Sequence, residues 1–207
     1  MNKIFNLSLV LLTTISFSSC STMISGIYGV KNIKEVDEKT ILRHSKKYNI
    51  PGDEIYQLDT LYLSYLSSFD SVKFAEQVKN HYQPLQALYY DKSGQLTSFQ
   101  INCYAGGFPN LDWNRDQTMM TFPPKAQAPI DSLIPLDVQL KYILPVQQTP
   151  PMLASNNDYT VIVHWNRFMG RQTKRFIQTV QQNMQLNSDK QVKVIYVNND
   201  NLFTRIK

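Results

Sequence analysis

Few side chains in this chain could do chemistry, and their spacing removes most of the reactions open to them. There are two cysteines, Cys20 and Cys103. Disulfide exchange needs one thiolate to attack and a second thiol to resolve the mixed disulfide. Cys103 alone could form a mixed disulfide or sense peroxide, or it could be a small buried residue at a strand end. His44, His81 and His164 are scattered, and no HExxH or CxxC occurs. Neither a metal centre nor a cofactor is therefore expected. Asp112, Arg115 and Asp116 lie close in sequence without a neighbouring histidine or a second fixed nucleophile, so no catalytic set is expected there. The densest polar group is Arg167, Arg171, Lys174 and Arg175. It falls where a helix begins, and exposed N–H groups and the positive helix end favour anions there. Those four residues suit a phosphate, a carboxylate or an acidic partner, or form a solvated basic face.

The same stretch carries a resemblance. Residues 159 to 200 read Tyr-Thr-Val-Ile-Val-His-Trp-Asn-Arg-Phe-Met-Gly-Arg-Gln-Thr-Lys, then an amphipathic helix, then Val-Lys-Val-Ile-Tyr-Val-Asn-Asn-Asp. This resembles the strand, active-site turn, helix and second strand of thioredoxin-like proteins. In that family a Trp leads into an aromatic residue and then Cys-Gly-Pro-Cys-Lys. Trp165, Phe168, Gly170 and Lys174 carry the likeness. Met169 and Gln172 stand where the cysteines would be, and Arg171 where the proline would be. A thioether cannot ionise and an amide cannot resolve a mixed disulfide, so disulfide exchange at this turn is excluded chemically. The resemblance implies a fold without its usual activity. It also implies a hairpin, led by a proline and turned on a glycine, which the chain after residue 200 is too short to supply. Pro84, the strand after it and Gly94 look similar in arrangement. A rearranged sheet would pair that hairpin antiparallel to the terminal parallel pair and bring Pro84 near Met169.

At the N-terminus, Lys3 precedes an apolar stretch from Leu7 to Phe17. That stretch is too short to cross a hydrocarbon core of about 30 Å, so it reads as a signal peptide over residues 1–19. Phe17-Ser18-Ser19-Cys20 resembles a bacterial lipobox, with Phe where Leu is usual. The resemblance implies lipidation of Cys20, with palmitate among the acyl groups, and attachment to the bilayer. Cleavage there leaves 188 of the 207 residues and removes one basic side chain, for 20 basic against 16 acidic. A net charge of +4 of this scattered kind suits an anionic surface or ligand and does not argue for nucleic acid. With Cys20 acylated, no intramolecular disulfide remains possible. The resemblance to bacterial lipoproteins, without an acidic cluster after Cys20, implies a periplasm-facing position in the cell envelope.

The elements that must position these residues form one α+β domain. Residues 20–34 read as a lipid-anchored tether. Residues 35–82 read as helical, with Asp37 capping a helix to about Tyr48 and Asn49-Ile50-Pro51-Gly52 ending it. A second helix is expected from Asp53 or Glu54 to Ser67, with Ile55, Leu58, Leu61, Tyr62, Tyr65 and Leu66 on one face. A third is expected from Phe69-Asp70, with Phe69 stapled to Phe74. Residues 84–104 read as a hairpin closed by Gly94, its second strand half-exposed on one face. Residues 105–129 are an aromatic loop in which Phe108, Trp113 and Phe122 could present a partner surface. Leu136, Val138, Leu140, Tyr142 and Leu144 mark a short helix or strand. Residues 159–200 form a βαβ unit with parallel strands. The expected architecture is thus N-terminal helices plus a small mixed sheet. Three functions stay open. One is a non-catalytic envelope binding or scaffolding module for an unknown protein or anionic ligand. Another is an envelope enzyme using the 105–122 loop. The last is a single-thiol redox protein using Cys103.

Overall fold

A computed structural model describes residues 29–51, 55–102, 112–146 and 157–206. The signal segment, Cys20, Cys103 and Phe108 lie outside the described residues. In chain order the elements are α1 (Glu38–Lys47), β1 (Ile55–Leu58), α2 (Leu61–Ser67), α3 (Ala75–His81), β2 (Gln86–Asp91), β3 (Leu96–Ile101), α4 (Leu136–Lys141), β4 (Ile143–Pro145), β5 (Tyr159–Trp165), α5 (Arg171–Gln185), β6 (Val192–Asn198) and α6 (Asp200–Phe203). The fold is α+β, with one six-stranded mixed sheet in the order β3-β2-β5-β6-β1-β4.

β5 and β6 form its centre because their β-branched and aromatic runs are buried on both faces. Val161, Val163 and Trp165 enter one core and Ile162 the other. β5 pairs parallel with β6, as the strand–helix–strand periodicity predicts, and β6 pairs parallel with β1. On its other side β5 pairs antiparallel with β2, which turns through Gly94 (φ +78°) into β3. The hairpin therefore joins the terminal parallel pair in the antiparallel sense. α1 and α5 cover one face of the sheet through Ile41, Phe176, Ile177 and Val180. α2, α3, α4 and α6 cover the other, through Tyr62, Leu66, Val78, Leu136, Leu202 and Phe203.

Three local expectations are corrected. Ile55 and Leu58 belong to a strand, not to the second helix, which starts only at Leu61. Their three-residue spacing fits either period, and the slot between β6 and β4 decides. There Ile55 joins one core while Tyr56 and Leu58 join the other. The third helix begins at Ala75, because Asp70 Oδ1 accepts from the Val72 and Lys73 amides and organises a turn first. Phe69 and Phe74 still pack, with ring centroids 6.0 Å apart. Finally, β3 is not half-exposed: only Thr97 faces outward. The 125–128 segment covers this edge strand, with the Gln127 and Ala128 amides donating to Phe99 O and Gln100 Nε2 donating to Lys125 O at 2.7 Å. Covering an edge in this way blocks further strand pairing.

Candidate binding site

Trp165 ends β5 fully buried, with Tyr48 packed edge-on at 5.9 Å. The chain then turns through Asn166 to Gly170 into α5, and buried amides hold that turn. Asn166 Nδ2 donates to Pro84 O at 2.9 Å and to Asn199 Oδ1 at 3.1 Å, while its Oδ1 accepts from the Met169 amide at 2.9 Å. Asn199 Nδ2 donates to the same Pro84 carbonyl at 2.9 Å. One asparagine thus joins Pro84 to Met169. Asp200 Oδ2 accepts from the Arg167 amide at 2.7 Å and from Asn198 Nδ2 at 2.9 Å. Sequence reading treats Asn198-Asn199-Asp200 only as turn formers. Their burial, at 1 % exposure each, makes them the frame of the turn. The available signal was three consecutive polar residues directly after a buried strand.

Residues 29–34 of the expected tether pack on the body. Lys31 N donates to Phe168 O at 2.8 Å, and Val36 exchanges two hydrogen bonds with the Asn201 side chain. Residues 29–36 therefore form a strap across the turn. Gly170, at φ +52°, lies directly under it, and a Cβ there would run into the Gly29 carbonyl. Both the backbone angle and the missing space require glycine. Gly170→Ala is expected to cost about 1–3 kcal/mol in urea unfolding. It should also lift the strap and speed tryptic cleavage after Lys31; unchanged stability and cleavage would contradict this packing.

The strap changes the reading of the basic cluster. Arg171, Lys174 and Arg175 are exposed along α5, but Arg167 is turned inward and only 6 % exposed. Its Nη2 donates to Asn32 O at 2.7 Å, and its Nε lies 3.8 Å from Asp200 Oδ1. Gly29 packs against Arg171 in the first turn of α5, and the buried Arg167 does not share a cleft with the exposed Arg171, Lys174 and Arg175. Instead Arg167 lines a cleft of about 500 Å³ between the strap and α1, together with Lys31, Lys34, Arg43 and His44.

The aromatic loop is also folded down where it is described. Trp113 packs on Phe176 with centroids 4.2 Å apart and the rings tilted, and is only 3 % exposed. Phe122 is half-buried against Tyr89 and Tyr159. Asn183, on the apolar stripe of α5, pulls the loop in by donating to Met119 O and Thr121 O at 2.8 and 2.7 Å. Trp113 is thus a packing residue of the core, while Phe122 keeps part of its ring exposed. Asp112, Arg115 and Asp116 lie exposed on the outside of this loop.

The histidines lie in separate environments. His81 Nε2 meets Asp131 at 3.1 Å with its ring stacked on Phe99. His164 Nε2 meets Gln139 Nε2 at 3.1 Å in a closed core. His44 lines the cleft. Among the described residues no group of three or more His, Cys, Asp or Glu side chains could hold a metal ion. Among them, too, no helix is long and apolar enough to cross a membrane. The turn itself holds Met169, packed against both cores, and Gln172, buried with neither amide atom hydrogen-bonded among the described residues. Compared with protein families, with curated proteins and with solved structures, the chain matches none.

Proposed function

We propose that this chain is a lipid-anchored protein of the bacterial cell envelope, attached through acylated Cys20 and facing the periplasm. Its body is a permuted thioredoxin-like fold used for binding or scaffolding and not for catalysis. The observation that carries the reading is the strand pattern around β5. Parallel β6 lies on one side, the antiparallel β2–β3 hairpin on the other, and Pro84 is tied to the turn by Asn166. That is the arrangement expected if the hairpin of a thioredoxin-like sheet precedes its strand–helix–strand unit in the chain. One departure is the Gln83–Pro84 bond, which is not cis. Here two asparagine amides grip the Pro84 carbonyl.

A binding role is favoured because the turn has lost every nucleophile and has been fixed by polar side chains instead. Its partners are the bilayer, through the acyl group, and a protein or an anionic ligand; the modest net charge does not favour nucleic acid.

Two measurements test the two halves separately. In cells fed radiolabelled palmitate, the chain should take up label and fractionate with membranes, and Cys20→Ala should abolish both. Absence of label from the unaltered chain would end the anchor reading. In an insulin-reduction assay with dithiothreitol, the purified protein should add nothing to the rate of the reductant alone. Clear acceleration would show a working thiol and overturn the non-redox body.

A further inference from the structure

The polar surface least explained by packing is the cleft between the strap and α1. Four cationic side chains line it: Lys31 and Lys34 from the strap, Arg43 from α1 and Arg167 from the turn. Two carboxylates line it too, both exposed and neither within 4 Å of the cleft's cations. Glu35 lies 3.8 Å from Arg205, and Asp37 Oδ1 caps α1 by accepting from the Thr40 amide at 2.8 Å. Asp200 sits behind Arg167 and accepts from the backbone and from Asn198. Among the described residues Lys31, Lys34 and Arg43 form no ion pair within 4 Å. Three of the four cations of the cleft are thus without an ion pair, while Arg167 is held by Asn32 O and Asp200.

We propose that this cleft is a binding site for a phosphorylated ligand, with Lys31, Lys34 and Arg43 gripping the phosphoryl oxygens over a floor of His44 and Arg167. The proposal names the ligand class for the binding module described above, and it does not depend on acylation or on the thioredoxin-like assignment. Cations arrive from three chain segments, so donors approach from several directions. A tetrahedral dianion offers acceptors to all of them, whereas one guanidinium already satisfies a planar carboxylate. At about 500 Å³ the cleft exceeds the needs of a bare phosphate and leaves room for the group that carries it.

His44 senses the unneutralised charge. Its ring is pushed down to about 4, by burial first and then by Lys31, Lys47, Arg43 and Arg167. Lys31 is lowered as well, by burial and then by Lys47, Arg167 and Arg43, with Asp200 opposing. His44 Nδ1 is buried with no hydrogen-bond partner among the described residues. A bound dianion would offset this excess of positive charge.

The phosphate could belong to a lipid headgroup or to a soluble molecule, and the experiment separates the two. The full chain carrying Cys20→Ala, purified in detergent, is titrated calorimetrically with inorganic phosphate and with glycerol phosphate. It is also sedimented with phosphatidylcholine vesicles made with and without phosphatidic acid. Two variants remove the same charge. Lys34→Gln/Arg43→Gln alters exposed residues of the cleft, and Lys174→Gln/Arg175→Gln alters exposed residues of α5 outside it. The cleft variant should weaken phosphate binding about tenfold or more while the α5 variant changes it less than about twofold. Cleft-dependent binding of glycerol phosphate without a vesicle effect assigns a soluble ligand. Cleft-dependent sedimentation only with phosphatidic acid assigns a headgroup. No binding in any arm, or equal losses in the two variants, overturns the site. Loss of palmitate labelling would refute the anchor and leave this result standing.

Discussion

Lowering the pH from 8 to 4 should remove about 3 kcal/mol of folding stability through His164 alone. His164 is fully buried on β5, and its ring is pushed down to about 3, by burial first and then by His81. The hydrogen bonding acts in the same direction. Tyr62 OH donates to Gln139 Oε1 at 3.2 Å, which turns the Gln139 amide N–H toward His164 Nε2 at 3.1 Å. An amide N–H only donates, so Nε2 must accept, and protonating it would set donor against donor. The unfolded chain binds this proton near pH 6.5, and the folded chain resists it until about 3. Between those values the unfolded state holds more protons, so stability is full above 6.5 and falls as the pH drops toward 3. His44, held at about 4, adds to the loss in the same direction.

Two carboxyls must be kept apart from this effect. Burial raises Asp131, but the hydrogen bond and charge of His81 outweigh it and leave the group below its ordinary 3.8, so its contribution is lost only below that value. Burial pushes Asp200 up against the opposing effect of Asn198 and Arg167, so its protonation favours the folded state as the pH falls. His164→Gln keeps an acceptor for Gln139 and removes the titration. Urea unfolding of that variant should start from a lower stability at pH 8 and show a much shallower decline to pH 5. An unchanged slope would mean that His164 is not the group that titrates.

How far the sequence reached depends on which forces leave a periodic trace. The βαβ unit is legible because Val161, Val163, Ile162, Phe176, Ile177 and Val180 are buried by their own periodicity. Gly94 is legible because a tight hairpin needs a positive φ. β1 is not, since four residues hold too little period to separate a strand from a helix, and its state is set by β6 and β4, distant in sequence. Trp113 looks like an exposed anchor because its cover comes from Phe176, over sixty positions later. The basic cluster is half legible. Composition finds Arg167, Arg171, Lys174 and Arg175, but only the path of residues 29–36 shows that Arg167 lines a cleft with Lys31, Lys34 and Arg43 instead. A strap whose own backbone makes the bonds, to partners more than 130 positions away, leaves no local side-chain pattern to read. Asn166, Asn199 and Asp200 stay hidden for a related reason. Polar residues after a strand suit a turn equally well, and only burial turns them into a frame.

Asp200→Ala should be the most damaging single change to the turn, costing about 3–5 kcal/mol. The carboxylate accepts from the Arg167 amide at 2.7 Å and from Asn198 Nδ2 at 2.9 Å, and the Arg167 guanidinium Nε lies 3.8 Å away. Truncation leaves the Arg167 amide and the Asn198 amide unsatisfied, and leaves the arginine charge buried without its counter-charge. The arginine cannot escape by ionisation, because a guanidinium stays charged. It can escape only by swinging outward, which breaks its 2.7 Å bond to Asn32 O and loosens the strap. Asp200→Asn keeps an acceptor for the Arg167 amide and should lose roughly half as much. The decisive comparison is the double variant Arg167→Met/Asp200→Ala, which removes the stranded charge together with its partner. If burial of an unpaired charge is the main cost, the double variant is more stable than the two single losses predict, by about 1–3 kcal/mol. Simple additivity would show that the two side chains stabilise the turn independently, and that the stranded charge is not the main cost.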